Sequence, residues 1–241
     1  MKINKIIQES MQDVHNRCPI LIAFLGDSVT QGCFELYNAR EKGYQTEFRN
    51  GCGYQVKLQN LFDMVFPQAS ISMLNAGISG DSAPNGAKRV QRDVIDFHPQ
   101  LAVVCFGLND SGRGLAHLEE YAEGLQSIFQ QLKAAEIDVI FMTPNMKATY
   151  PSRELNLEDF DDVIESNYRC QTDGTMDRYM ERAKEVCAME GIPVCDCYEK
   201  WKKINALGAD VTHLLANKVN HPNEKMHWIF AWSLFEMILG L

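Results

Sequence analysis

At 241 residues, 46% of them hydrophobic and 23% charged, the chain has the composition of a globular domain with a sizeable core, which excludes a disordered or fibrous protein. A formal net charge of -9 and a pI of about 5.2 set it against phosphate backbones and anionic lipid surfaces. The basic residues form no run, so neither nucleic acid nor a membrane is expected as a partner.

Residues 1–18 mix charged and apolar side chains and lack a continuous apolar stretch of signal-peptide length. The longest apolar runs, at 19–25 and 101–106, are too short to span a bilayer, so cytoplasmic residence is the expectation. Short apolar runs at 20–25, 71–74, 101–106, 137–142 and 192–195 read as strands. Amphipathic stretches at about 53–66, 84–97, 114–136, 172–190 and 224–240 read as the helices between and after them. Runs apolar on both faces suit parallel strands covered on each side, so the alternation predicts a three-layer α/β/α domain. No repeat or shift of composition divides the chain, and a single domain over 1–241 follows.

Two stretches, 31–52 and 144–171, are too long for simple connections. Both follow strand C-termini, where open parallel sheets bind ligands, and they read as walls or lids of a site. Eight cysteines in a large chain without a secretory segment read as reduced thiols rather than a disulfide framework. Cys195 and Cys197 are the nearest approach to a paired motif, and no metal or redox role is predicted for them.

The first strand ends in Gly26-Asp27-Ser28, which sets a serine at the carboxyl edge of the sheet, beside the next helix N-terminus. Backbone N–H groups in such a place can bind a developing oxyanion. The G-x-S-x-G elbow is absent, because Thr30 holds its last position. Strand two is followed by Asn75-Ala76-Gly77-Ile78-Ser79-Gly80, strand three by Gly107-Leu108-Asn109-Asp110, and the last helix is preceded by Asn220-His221-Pro222-Asn223. One edge of the sheet can collect all four segments.

Together these motifs resemble the SGNH hydrolases, also called the GDSL esterase/lipase family, and they run from residue 26 to 223. The resemblance implies a flavodoxin-like fold with five parallel strands in the order 2-1-3-4-5, and ester or thioester hydrolysis without a metal or other cofactor. By position it implies Ser28 as nucleophile and His221 as base. The oxyanion donors would be the backbone N–H of Ser28 and of Gly80 with the Asn109 amide. Asp27 and Asp110 are expected to brace their turns and to contribute to substrate binding. Ser82, in a second G-D-S triplet at 80–82, is read as a decoy.

The sequence departs from the family at one position: Lys218 stands three residues before His221, where an aspartate usually orients the imidazole. Lysine cannot accept an imidazole N–H. Three arrangements remain open. Asp210 can reach back as the acid; a backbone carbonyl or an amide oxygen such as that of Asn217 can orient a Ser–His dyad; or His213, which ends a D-x-x-H of its own, is the base. The expected substrate is a small acyl ester, with acetyl groups on a carbohydrate favoured by analogy with the family, by the expected cytoplasmic setting and by polar residues of the first insertion (Glu35, Tyr37, Asn38, Arg40, Tyr44). Alternatives are a thioesterase or lysophospholipase, and a catalytically silent sugar-binding module. Oligomeric state is not legible in the sequence.

Overall fold

A computed structural model describes residues 2–16, 18–39, 43–152 and 161–241. In chain order, helix α1 (Lys2–Gln12) leads into strand β1 (Ile20–Gly26) and the single-turn helix α2 (Ser28–Gln31). A hairpin of β2 (Cys33–Ala39) and β3 (Gly43–Phe48) follows, then α3 (Tyr54–Val65), β4 (Ile71–Gly77) and α4 (Ala83–Asp93). Next come β5 (Leu101–Cys105), α5 (Leu108–Ser111), α6 (Leu118–Ala134), β6 (Asp138–Met142), α7 (Asp161–Thr172) and α8 (Thr175–Glu190). The chain closes with β7 (Val194–Cys195), α9 (Cys197–Ala206), α10 (Val211–Leu214) and α11 (His227–Leu239).

Five strands form one parallel sheet in the order β4-β1-β5-β6-β7. Counting only strands of that sheet, this is the predicted 2-1-3-4-5. The reason lies in β1 and β5, whose residues are almost all buried on both faces, as central parallel strands must be. Helices α4, α6 and α8 pack against one another in one layer, while α1, α3 and α9 gather on α11 in the other. All eight cysteines carry free thiols, and six of them are buried, Cys195 and Cys197 among them.

Both insertions contain regular structure that the sequence reading missed. The first, 31–52, folds as the antiparallel hairpin of β2 and β3, separate from the main sheet. The second, 144–171, carries most of α7, while its residues 153–160 lie outside the described residues. Arg40 lies outside them too. Helices α1 and α9 were also unforeseen, each being only 11 or 10 residues long.

The register positions the site. Gly26, the last residue of β1, pairs with Gly77 on one side and Cys105 on the other. Three strands therefore end level, and the residues just beyond them (Ser28, Gly80 and Asn109) emerge at the same edge.

Candidate active site

Asp27 caps α2: its Oδ1 accepts from the Val29 N–H at 3.0 Å, which fixes Ser28 as the first helical residue. Ser28 Oγ lies 2.9 Å from His221 Nε2, across 193 residues of sequence. Both residues are only 4% exposed. His221 Nδ1 in turn lies 3.2 Å from the backbone carbonyl of Phe34, in β2. A carbonyl can only accept, so Nδ1 carries the proton and Nε2 is left to accept from the serine hydroxyl.

The loop before His221 is shaped by Asn217, whose Oδ1 accepts from the backbone N–H of Val219, Asn220 and His221 at 2.9–3.0 Å. Asn217 thus holds the histidine's backbone and not its ring. Asp210 is elsewhere: its Oδ1 caps α10 by accepting from His213 N–H at 3.0 Å, and its Oδ2 accepts from Tyr150 hydroxyl at 2.7 Å. Both oxygens have other partners, so the structure does not bring Asp210 to His221. Of the three arrangements left open, the backbone carbonyl is the one present. His213 is exposed, with Lys218 Nζ 3.2 Å from its carbonyl. Ser82 opens α4 as its N-cap, away from the cleft.

Gly80 adopts a φ of +77°, a left-handed turn that glycine enters freely, and Ile78 O accepts from Asp81 N–H to close that turn at 3.2 Å. Asn109 Nδ2 donates to the Asp81 carbonyl at 2.8 Å, tying α5 to the Gly80 loop. An amide nitrogen has two protons, so one remains for a ligand. Asp110 braces from beneath, its Oδ1 accepting from Ala83 N–H at 2.9 Å. Neither Asp27 nor Asp110 lines the cleft; both are buried bracing residues.

Two of the buried cations, Arg89 and Lys147, lie near the site and were not found from sequence. Arg89, on α4, donates to the carbonyls of Gly26 (2.9 Å) and Ala76 (2.7 Å) and pairs with Asp81 at 2.7 Å. It therefore clamps the ends of β1 and β4 to the Gly80 loop. Lys147 is fully buried near Gly112, beyond α5. Nothing in a one-dimensional pattern marks either, because an arginine in a helix reads as a solvated face.

Burial governs the electrostatics. It pushes His221 down to about 4, with the Phe34 carbonyl only partly opposing, and lowers Lys147. Burial likewise raises Asp27 to about 7 and Asp110 to about 6, against the N–H groups of Val29 and Ala83. His221 is accordingly a neutral imidazole at neutral pH, free to accept a proton.

Over Ser28 opens a cleft of about 370 Å³. Gly80 and Asn109 share its floor with the serine, Leu108 and Val163 supply apolar wall, and Arg113 and Asn167 stand among its polar residues. Val163 and Asn167 come from α7, so part of the second insertion does line the site. Among the described residues no group of three or more potential ligands could hold a metal ion. No helix among them is long and apolar enough to cross a membrane.

A serine hydroxyl bonded to a neutral histidine, with convergent N–H donors beside it, is the arrangement of serine acyl hydrolases. The chain belongs to the GDSL-like lipase/acylhydrolase family, whose profile matches residues 24–229. It is 30% identical over 132 residues to an acetylxylan esterase of Geobacillus stearothermophilus, covering 51% of this chain and 58% of that one. It is 31% identical over 86 residues to thioesterase 1/protease 1/lysophospholipase L1 of Escherichia coli K12, covering 36% and 41%. The matched stretches thus span less than two thirds of either relative. Among solved structures, a variant of an acetylxylan esterase of Geobacillus stearothermophilus superposes with a TM-score of 0.68 at 24% identity, covering 92% of this chain and 94% of the other. An α/β hydrolase from the metagenome of Lake Arreo gives 0.67 at 22%, covering 92% and 95%. These likenesses carry the fold.

Proposed function

We propose that the protein is a carboxylic ester hydrolase that removes small acyl groups, acetyl groups on a carbohydrate foremost, through an acyl-Ser28 intermediate. The observation that carries this reading is the 2.9 Å contact between Ser28 Oγ and His221 Nε2, facing Gly80 and Asn109 across one cleft. In the first half-reaction Oγ attacks the carbonyl carbon while its proton passes to Nε2. The carbonyl π pair moves onto oxygen, and the backbone N–H of Ser28 and of Gly80 with the Asn109 amide hold the oxyanion. Collapse breaks the ester C–O bond, and the leaving alkoxide takes the proton from His221. Water then repeats the sequence on the acyl-enzyme, releasing the acid and restoring Ser28.

The Phe34 carbonyl takes the orienting place of the usual aspartate, so the machinery is a dyad and Asp210 has no part in it. A carbonyl fixes the tautomer but offers less to the imidazolium than a carboxylate would. Leu108 and Val163 suit a short acyl group. Arg113 is paired with Glu120 at 3.0 Å, which leaves the rim without a free cation there and favours a neutral alcohol. The acetylxylan esterase relative supports the same substrate class, and the Escherichia coli relative makes thioesters the second reading.

The test is p-nitrophenyl acetate hydrolysis by wild type, Ser28→Ala and His221→Ala, each checked for folding by circular dichroism. Wild-type turnover that drops by about 10³ or more in both variants is expected. Full activity in folded Ser28→Ala would remove the nucleophile. An inert wild type that also fails to react with a fluorophosphonate would turn the site into a binding module. Comparing acetylated sugars with acyl-CoA then decides between ester and thioester.

A further inference from the structure

Beside α2 lies a second cleft, of about 330 Å³, lined by Gln31, Phe48, Asn50, Asn75 and Gly77. None of its lining residues is charged. Gln31 Oε1 and Asn75 Oδ1 accept from Ser79 and Gly77 N–H, which fixes these amides in place, and each amide nitrogen keeps a proton to donate to a neutral hydroxyl group. Phe48 is 47% exposed and presents an apolar ring surface at the same place. Arg49, next in the chain, turns its guanidinium to Glu35 and Glu47 at 3.3 and 3.6 Å, so it brings no free cation for an anionic ligand. Amides with an aromatic face and no charge are the chemistry of a sugar ring.

The cleft is built into the catalytic framework. Gln31 ends the helix that Ser28 begins, about 4.5 Å further along its axis at ~1.5 Å per residue. Gln31 Oε1 accepts from the Ser79 N–H at 2.6 Å, and Ser79 lines the catalytic cleft, so the two clefts share a wall. The opposite wall comes from the first insertion. Arg49 N–H donates to the Gly32 carbonyl at 2.9 Å, which closes the end of β3 onto the end of α2 and sets Phe48 and Asn50 beside Gln31.

We propose that this cleft is a subsite for an unmodified sugar residue next to the acylated one, which makes an acetylated oligosaccharide, and not a monosaccharide ester, the preferred substrate. The proposal rests on the esterase reading above and adds the leaving group to it. It assigns the hairpin insertion a task in substrate selection besides its contact with His221.

The experiment compares kcat/KM on acetylated xylotetraose and on p-nitrophenyl acetate for wild type, Phe48→Ala, Phe48→Tyr and Asn50→Ala. Phe48→Ala and Asn50→Ala are expected to lower the ratio of the two values at least fivefold through KM, and Phe48→Tyr to keep it. An unchanged ratio in both alanine variants, with Ser28-dependent hydrolysis of p-nitrophenyl acetate intact, would overturn the subsite and leave the esterase standing. A wild type that cleaves p-nitrophenyl acetate but no acetylated xylo- or mannotetraose would overturn it as well. If neither ester is cleaved the esterase reading fails, and unacetylated xylotetraose and mannotetraose titrated into 15N-labelled Ser28→Ala protein decide separately. Shifts of the Asn50 and Asn75 side-chain amides by either would support the subsite; none at millimolar sugar would sink it.

Discussion

His221 is the base of the proposed mechanism, and two of its surroundings make testable demands. Burial lowers its pKa to about 4, below the usual histidine value, so the base-competent neutral form persists well below neutrality. The acid limb of kcat/KM should therefore fall near pH 4, with activity retained at pH 5.5; a limb centred on 6.5 would mean a solvated histidine. Its ring is oriented by the Phe34 carbonyl, whereas Asp210 caps α10 and accepts from Tyr150. Asparagine can also cap a helix, so folded Asp210→Asn should keep activity within about threefold. A hundredfold loss would restore the triad. Lys218, at the family's acid position, has a φ of +56° and directs its ammonium to the His213 carbonyl.

Helices and strand ends set the scale at which the proposed oxyanion donors are held. The sequence marked the segments after β1, β4 and β5, because each couples an apolar run to a turn with glycine and polar residues. It did not mark what holds them together. Arg89 reaches from α4 to the carbonyls of Gly26 and Ala76 and to Asp81, with its side chain only 9% exposed. Removing one partner of a buried pair leaves an uncompensated charge and typically costs about 3–5 kcal/mol. Arg89→Ala is thus expected to lose about that much in urea unfolding, and a loss under 1 kcal/mol would show that the clamp is dispensable. The hairpin of β2 and β3 escaped the sequence reading for a related reason. Its strands pair only with each other, and such a pair carries no fully apolar run of the kind a buried parallel strand shows.

At the scale of the whole molecule, two buried histidines and two buried aspartates pull the pH dependence of stability in opposite directions. His221 and His227 are held down to about 4 and 3, so between there and pH 6.5 the unfolded chain binds the more protons and acid destabilises. Asp27 and Asp110 are held up to about 7 and 6, so above 3.8 the folded chain binds the more protons and acid stabilises. In the window from about pH 4 to 6 the two pairs oppose each other in equal number. Above the ordinary carboxylate range, between pH 5.2 and 6, the urea midpoint should therefore change little, where two buried histidines alone would make it fall steeply on acidification. A steep fall over that window would mean that the aspartates stay ionised in the folded state.

The sequence by itself determined the layers, the strand order and the identities of Ser28, Gly80, Asn109 and His221 as site candidates. Apolar periodicity suffices for the layers, since it follows from which faces are buried; the strand order and the four site residues are what the motifs' resemblance to the family implied. Tertiary structure alone decided what orients His221, because the partner is a backbone carbonyl, which every residue possesses and no side-chain pattern can advertise. It also decided that Asp210 caps α10 instead, that Arg89 is buried against carbonyls and carboxylates, and that Lys147 is buried. Long-range contacts of this kind, 187 residues apart between Phe34 and His221, exist only once the sheet has closed the distance.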